Sequence, residues 1–127
     1  LPMRFRRQRQ MCIRDSGNIY VLGDASVASA MPKSGFSANS QAKVAANHIR
    51  GALTDSRVFP AKFSKTCWSL VATNDGIKVG ANYTAGEEKI EVVDKFVSKT
   101  DEGSAKRKKT YEESIGWYNG ITTDMFS

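Results

Sequence analysis

The strongest folding signal in this chain is GNIYVLGDASVASAMPKSGFSANSQAKVAANHIRGAL, residues 17–53. Its apolar run at 19–22 is bounded by Gly-Asn and Gly-Asp pairs, a pattern typical of a short buried strand. A loop rich in small residues covers 25–35. Small and aliphatic residues then recur at helical spacing: Ala38, Ala42, Ala45, Ala46, Ile49 and Leu53. The segment therefore predicts a βα unit with a Gly-Asp turn and a long loop between strand and helix.

Two features of this unit suit a flavin. Gly23 has no Cβ, so a cofactor can approach its backbone, and Asp24 can accept hydrogen bonds from hydroxyls such as those of a ribityl chain. The helix that begins near Ser34–Ser37 presents N–H groups and a positive dipole end, which favour an anionic partner. An ordinary βα unit whose Asp caps a turn explains the same residues, and the spacing alone favours that simpler interpretation.

The next part of the chain predicts a three-stranded antiparallel meander. After a connector at 54–62, the strands are expected at Cys67–Ala72, at 77–83 and at Lys89–Phe96. Apolar and polar residues alternate in the second strand, which indicates one buried and one solvated face. Turns rich in Asn, Asp and Gly are expected at 73–76 and at Ala85–Glu88.

A C-terminal helix is predicted at Lys106–Tyr118, with Tyr111, Ile115 and Tyr118 on one stripe and a stop near Gly120. Trp117 lies off that stripe, so it is expected to face a different surface. The fold class is therefore α+β: one βα unit, a meander and a final helix.

Charge is concentrated at the start of the chain. Residues 1–16 hold five arginines and one aspartate, +4 of the total of +6. This leader has no helical or strand period and no apolar signal-peptide core, so we expect it to lie outside the fold. A basic arm that binds polyanions is the alternative. No run approaches the roughly 18 apolar residues of a membrane span. Cys12 lies in the leader, so one His and one Cys, His48 and Cys67, are left in the rest of the chain. These two residues cannot supply a metal site.

Three motifs, in order, give a resemblance to a known family. VLGDASVASAMPKSGFSANSQAKVAA resembles the last flavin-binding segment of flavoproteins with two dinucleotide-binding domains. TCWSLVATNDGIKVGANY and IGWYNGITTDMF resemble the flavoprotein subunit of flavocytochrome c sulfide dehydrogenase. The resemblance implies that the chain is the C-terminal piece of a longer flavoprotein. In that reading residues 17–55 close its FAD-binding domain and residues 56–127 form its C-terminal flavin-binding or interface domain.

The resemblance also implies the site. Cys67 would pair with a Cys of the preceding domain in a disulfide beside the flavin, and Trp117 would lie at the flavin face near that disulfide. The implied reaction is FAD-dependent oxidation of sulfide, in the periplasm, with electrons passed to a c-type cytochrome subunit. The implied flavin contacts are Gly23, Asp24, Lys33, Ser34, Gly35 and Phe36. From the residues alone, a buried Cys and a core Trp explain Cys67 and Trp117 equally well.

Two other functions stay open at this point. A sulfide:quinone oxidoreductase would use the same flavin chemistry, but its relatives carry a membrane-binding C-terminal helix pair, and the C-terminus here is polar. The interpretation as a small basic nucleic-acid-binding protein depends on the charge of residues 1–16. Without that segment, the net charge of the chain is only +2. We therefore expect neither a nucleic-acid partner nor a membrane span.

Overall fold

The computed structural model describes residues 19–86 and 89–127. Its elements, in chain order, are a 3-10 turn at Gly23–Ala25, helix α1 at Gly35–Thr54, strands β1 (Lys62–Ala72), β2 (Asp75–Ala85) and β3 (Ile90–Val97), and helix α2 at Ser104–Phe126. The strands form an antiparallel sheet in the order β1-β2-β3. The predicted α+β class, with a helix, a meander and a C-terminal helix, is confirmed. The predicted leader at 1–16 lies outside the described residues.

The two hairpins follow the predicted turn chemistry. Asn74 adopts a left-handed φ of 60° between β1 and β2, a conformation that Asn tolerates better than most residues. Between β2 and β3, the Gly86 N–H donates to the Lys89 carbonyl at 2.9 Å. Residues 87–88 of the predicted second turn lie outside the described part. The first strand begins five residues before its predicted start at Cys67.

The strand predicted at 19–22 is wrong as an element. Only Tyr20 takes part in a β-bridge, and a 3-10 turn follows at once. An apolar run becomes a strand only where a neighbouring strand completes its backbone hydrogen bonds. The β1-β2-β3 sheet gives that run no such ladder.

The helices bury only part of the apolar sets that located them. In α1 the buried residues are Ser37, Gln41, Ala45 and Gly51, so Ala45 of the predicted set is buried, whereas Leu53 is 81% exposed. In α2, Tyr111 is half-buried and Tyr118 is 62% exposed, and the helix continues past the stop predicted near Gly120. Apolar spacing located the helices, but small and polar side chains make their closest contacts.

The chain forms two compact units, each described by itself. The first contains the described residues up to Lys65 together with Ala81–Lys95. Its core consists of Ala28, Met31, Phe63, Ala81, Tyr83 and Ile90. The second contains Thr66–Gly80 and Phe96–Ser127, that is, the β1–β2 hairpin end and α2. Neither helix of the described chain combines the length and hydropathy that crossing a bilayer requires.

Candidate functional site

The Gly23–Asp24 turn is anchored on the first half of α1. Gly23 has a φ of +70°, which an L side chain rarely adopts, and a Cβ built on it would lie 3.5 Å from the Ala38 Cβ. The Gly23 carbonyl accepts from the backbone N–H and hydroxyl of Ser26, at 3.1 and 2.8 Å. Glycine is therefore favoured by the backbone conformation, whereas the space beside Ala38 would admit a Cβ at an ordinary van der Waals distance.

Gln41 fixes this turn and was missed by the sequence reasoning. Its side chain is 2% exposed, and its Oε1 accepts from the Gly23 N–H at 2.7 Å. Its Nε2 reaches the Met31 Sδ at 3.7 Å. The available signal was its spacing: Gln41 lies three residues after Ala38 and four before Ala45, on the face of small residues that the helix buries.

Asp24 and Lys33 lie on the outer side of the turn. The Lys33 Nζ donates to the Asp24 backbone carbonyl at 2.6 Å, and both residues are exposed. This bond ties the end of the loop back to the turn. It leaves the Asp24 carboxylate in solvent, where it can accept hydrogen bonds from the hydroxyls of a ligand.

The start of α1 is built by serines. The Ser34 Oγ caps the helix by accepting from the Ser37 N–H at 3.1 Å, and the Ser37 hydroxyl donates to the Pro32 carbonyl at 2.7 Å. Gly35 follows the cap, and a Cβ built there would meet nothing within 4 Å. Phe36 is half-buried. The first turn of α1 thus presents its positive end beside open space, as an anionic edge of a ligand requires.

These observations fit a flavin. The turn gives a close backbone approach, Asp24 gives an exposed acceptor, and the capped helix start gives a positive end. The predicted contact residues Gly23, Asp24, Lys33, Ser34, Gly35 and Phe36 all lie in the first unit, within 14 consecutive residues. Their roles toward FAD stay a prediction.

His48 is not the surface residue that its neighbours in the sequence suggest. It is half-buried, and its Nδ1 lies 2.5 Å from the Tyr20 hydroxyl. The bond ties the segment before the Gly23–Asp24 turn to the middle of α1. Among the described residues, no group of three or more His, Cys, Asp and Glu could hold a metal ion.

In the second unit, Trp117 of α2 packs against Trp68, the residue that follows Cys67 in β1. Cys67 is a half-buried free thiol in β1. The ring of its neighbour Trp68 lies 5.8 Å from the ring of Trp117, at an interplanar angle of 31°. Successive strand residues point to opposite faces, so the Trp68 ring and the Cys67 side chain lie on opposite faces of β1. Trp68 therefore connects Trp117 to the strand that carries Cys67.

Within the described ranges 19–86 and 89–127, three ionisable groups have shifted pKa values with clear causes. Burial raises the pKa of Tyr83 in the first unit, although Lys65 acts in the opposite direction. A hydrogen bond from Lys106 lowers the pKa of Glu102, just before α2. A hydrogen bond to Asp75 raises the pKa of Arg107. Each shift belongs to a contact that holds an element in place, so none of them identifies an acid or base for a reaction.

A comparison with known protein families identifies the family. The family model described as "Flavocytochrome c sulphide dehydrogenase, flavin-binding" matches residues 60–126, more than half of the 127 residues. The matched range contains the meander, Cys67, Trp68 and α2 up to its last residue. It begins after α1, so the flavin contacts predicted at residues 23–36 depend on the geometry of the turn and the helix start.

Proposed function

The chain belongs to the flavin-binding family of flavocytochrome c sulphide dehydrogenase, and we propose that its intact protein oxidises sulfide through Cys67 and FAD. Electrons then pass to a c-type cytochrome subunit. Membership of the family makes the protein a flavin-linked oxidoreductase with FAD as its cofactor. The sulfide substrate, the cytochrome acceptor and a periplasmic location are the finer part of the proposal.

The first unit holds the cofactor. Gly23 would let the flavin approach the backbone, Asp24 would accept hydrogen bonds from ribityl hydroxyls, and the first turn of α1 at Ser34, Gly35 and Phe36 would stabilise an anionic pyrimidine edge. Lys33 holds the loop against the turn through the Asp24 carbonyl. Bound FAD supplies an acceptor for an electron pair. The residues of this chain supply position and charge.

Cys67 takes part in the chemical step as one half of a disulfide whose other Cys comes from a different part of the intact protein. Hydrosulfide attacks this disulfide, a sulfur–sulfur bond forms to the sulfide sulfur, and the original bond breaks. The second cysteine leaves as a thiolate. The sulfide sulfur is thereby oxidised and the disulfide is reduced. A persistent disulfide also suits an oxidising compartment such as the periplasm.

Trp117 and Trp68 support the strand that carries Cys67. Their two large aromatic rings are in contact and cover apolar area on the face of β1 opposite the Cys67 side chain. The single observation that carries the proposal is the family match, which contains both Cys67 and Trp117.

The test uses the intact flavoprotein subunit together with its c-type cytochrome. Cys67→Ser should leave FAD bound, with an unchanged flavin absorption spectrum, and abolish sulfide-dependent cytochrome reduction. Ser69→Ala is the matched control, because it removes one polar atom from an exposed position of the same strand. Full activity in Cys67→Ser would refute the proposal. Reduction of a quinone, with none of cytochrome c, would favour the quinone-linked alternative.

A further inference from the structure

Helix α2 is tied to the β1–β2 hairpin by two ion pairs. The Arg107 Nε donates to the Asp75 Oδ1, with side chains 22% and 33% exposed. One and a half turns further along, the Glu113 Oε2 accepts from the Lys78 Nζ at 2.5 Å, with the two side chains 34% and 28% exposed. The pairs join successive points of β2 to successive points of the helix.

The same ammonium has an aromatic partner as well. The Lys78 Nζ lies 5.9 Å from the centroid of the Phe96 ring, within the range of a cation–π contact. Lys78 is therefore held between a carboxylate and a ring. The backbone of Lys78 is held as well, because its N–H donates to the Ser98 hydroxyl oxygen at 3.1 Å.

Between the two ion pairs, the strand and the helix are in backbone contact. A Cβ built on Gly76 would lie 2.8 Å from the Tyr111 backbone nitrogen and 2.9 Å from its Cα. The next atom, the Thr110 carbonyl carbon, is at 3.2 Å, and Thr110 is only 2% exposed. No side chain fits at position 76 without moving the helix, because the atoms in the way belong to backbone.

This contact lies on the same face of α2 as Trp117. Thr110, Glu113 and Trp117 are spaced by three and four residues, which places them along one side of a helix. A change in the depth or rotation of α2 at Gly76 is therefore carried two turns along to the Trp117 ring. That ring is the one packed against Trp68.

We propose that Gly76 and the Asp75–Arg107 and Lys78–Glu113 pairs act as a clamp that positions Trp117 against Trp68 and so supports the strand carrying Cys67. Partly exposed ion pairs contribute little to stability when taken singly. Together, the two ion pairs select one register of α2 along the β1–β2 hairpin. Gly76 determines how closely the backbone of α2 approaches β2. These are positioning residues. Their consequence for sulfide oxidation rests on the proposed function, whereas the clamp itself does not.

The test measures the tryptophan pair in the 127-residue chain without flavin or sulfide. Two indoles in contact give a coupled circular dichroism signal, which Trp68→Phe and Trp117→Phe each remove and so assign to the pair. Gly76→Ala and Glu113→Gln are expected to weaken this signal while the helical signal is retained. Glu112→Gln is the matched control, since its carboxylate is 61% exposed and 3.8 Å from Lys108, and it should change nothing.

Charge exchange gives the specific readout. Lys78→Glu alone should lose the paired signal, and Lys78→Glu with Glu113→Lys should recover it, because the exchanged pair restores the attraction. If Gly76→Ala does not fold, the proposal is tested by Glu113→Gln and by the double variant Lys78→Glu with Glu113→Lys. An unchanged signal in the folded variants would overturn the proposal, and so would unfolding of all of them. Because no flavin is present, this outcome is independent of whether Cys67 oxidises sulfide.

Discussion

Replacing Gln41 by Leu tests whether the Gly23–Asp24 turn is held by one buried hydrogen bond. Leucine has nearly the same size and helix propensity as glutamine, so α1 and its packing are preserved. The Gly23 N–H loses its acceptor, which lies at 2.7 Å in a side chain that is only 2% exposed. A buried donor left unpaired costs about 1–3 kcal/mol. We expect a loss near the middle of that range, about 2 kcal/mol, or a roughly thirtyfold fall in the folded-to-unfolded ratio.

Urea unfolding of the 127-residue chain measures this loss, and amide hydrogen exchange at Gly23 locates it. The control is Lys43→Leu, which introduces the same residue at an exposed position of the same helix. Exchange at Gly23 should accelerate in Gln41→Leu and stay unchanged in the control. Equal stability of the two variants, with Gly23 still protected, would refute the view that Gln41 holds the turn.

Three further predictions follow from particular residues. In the intact flavoprotein, Asp24→Ala should weaken FAD binding by about 1.5–3 kcal/mol, the range for a hydrogen bond to a charged group; unchanged flavin content and spectrum would contradict the assignment. Removing residues 1–16 should leave the thermal midpoint unchanged, and a clear drop would show that the leader belongs to the fold. The Lys106 hydrogen bond lowers the pKa of Glu102, so its stabilisation is present above the usual carboxyl pKa and lost as acid protonates the folded form. The midpoint difference between the native chain and Glu102→Gln should therefore be largest near neutral pH and vanish in acid, and a constant difference would contradict this.

Local patterns predicted those elements whose stabilising partners are nearby in the sequence. The hairpins and helices were found because Asn74 supplies a left-handed turn residue and Ser34 supplies a helix cap. The prediction of a strand at 19–22 is wrong because an apolar run does not show which neighbouring strand completes its backbone hydrogen bonds. The predicted end of α2 is wrong because the glycine at position 120 permits a helix to stop there without requiring it.

The site was harder to predict than the fold. Gly23 and Asp24 carry their chemistry in their own side chains and backbone, so they could be proposed from sequence. For Gln41 the sequence signal is only its spacing on the buried helix face, and its role in the turn comes from a donor 18 residues earlier in the chain. The choice between a packing and a functional role for Cys67 depends on the resemblance to a family. The match over residues 60–126 confirms the family, and the role of Cys67 stays a prediction.

Glycine and small residues have a common use in the two units of this chain. At Gly23, a positive φ shapes the turn that lies beside α1, among the proposed flavin contacts. At Gly76, the missing Cβ brings β2 into contact with the backbone of α2, next to Trp117. In each unit, a polar side-chain contact holds the same two elements together. This contact is the hydrogen bond of Gln41 in the first unit and the Lys78–Glu113 ion pair in the second. Gly76→Ala should therefore displace α2, since the atoms that oppose its Cβ belong to the helix backbone. Gly23→Ala should instead strain the turn itself, because an L residue rarely adopts a φ of +70°. Substitutions of the polar partners should loosen the same elements without moving them as far, which makes the two kinds of variant distinguishable by the extent of the structural change.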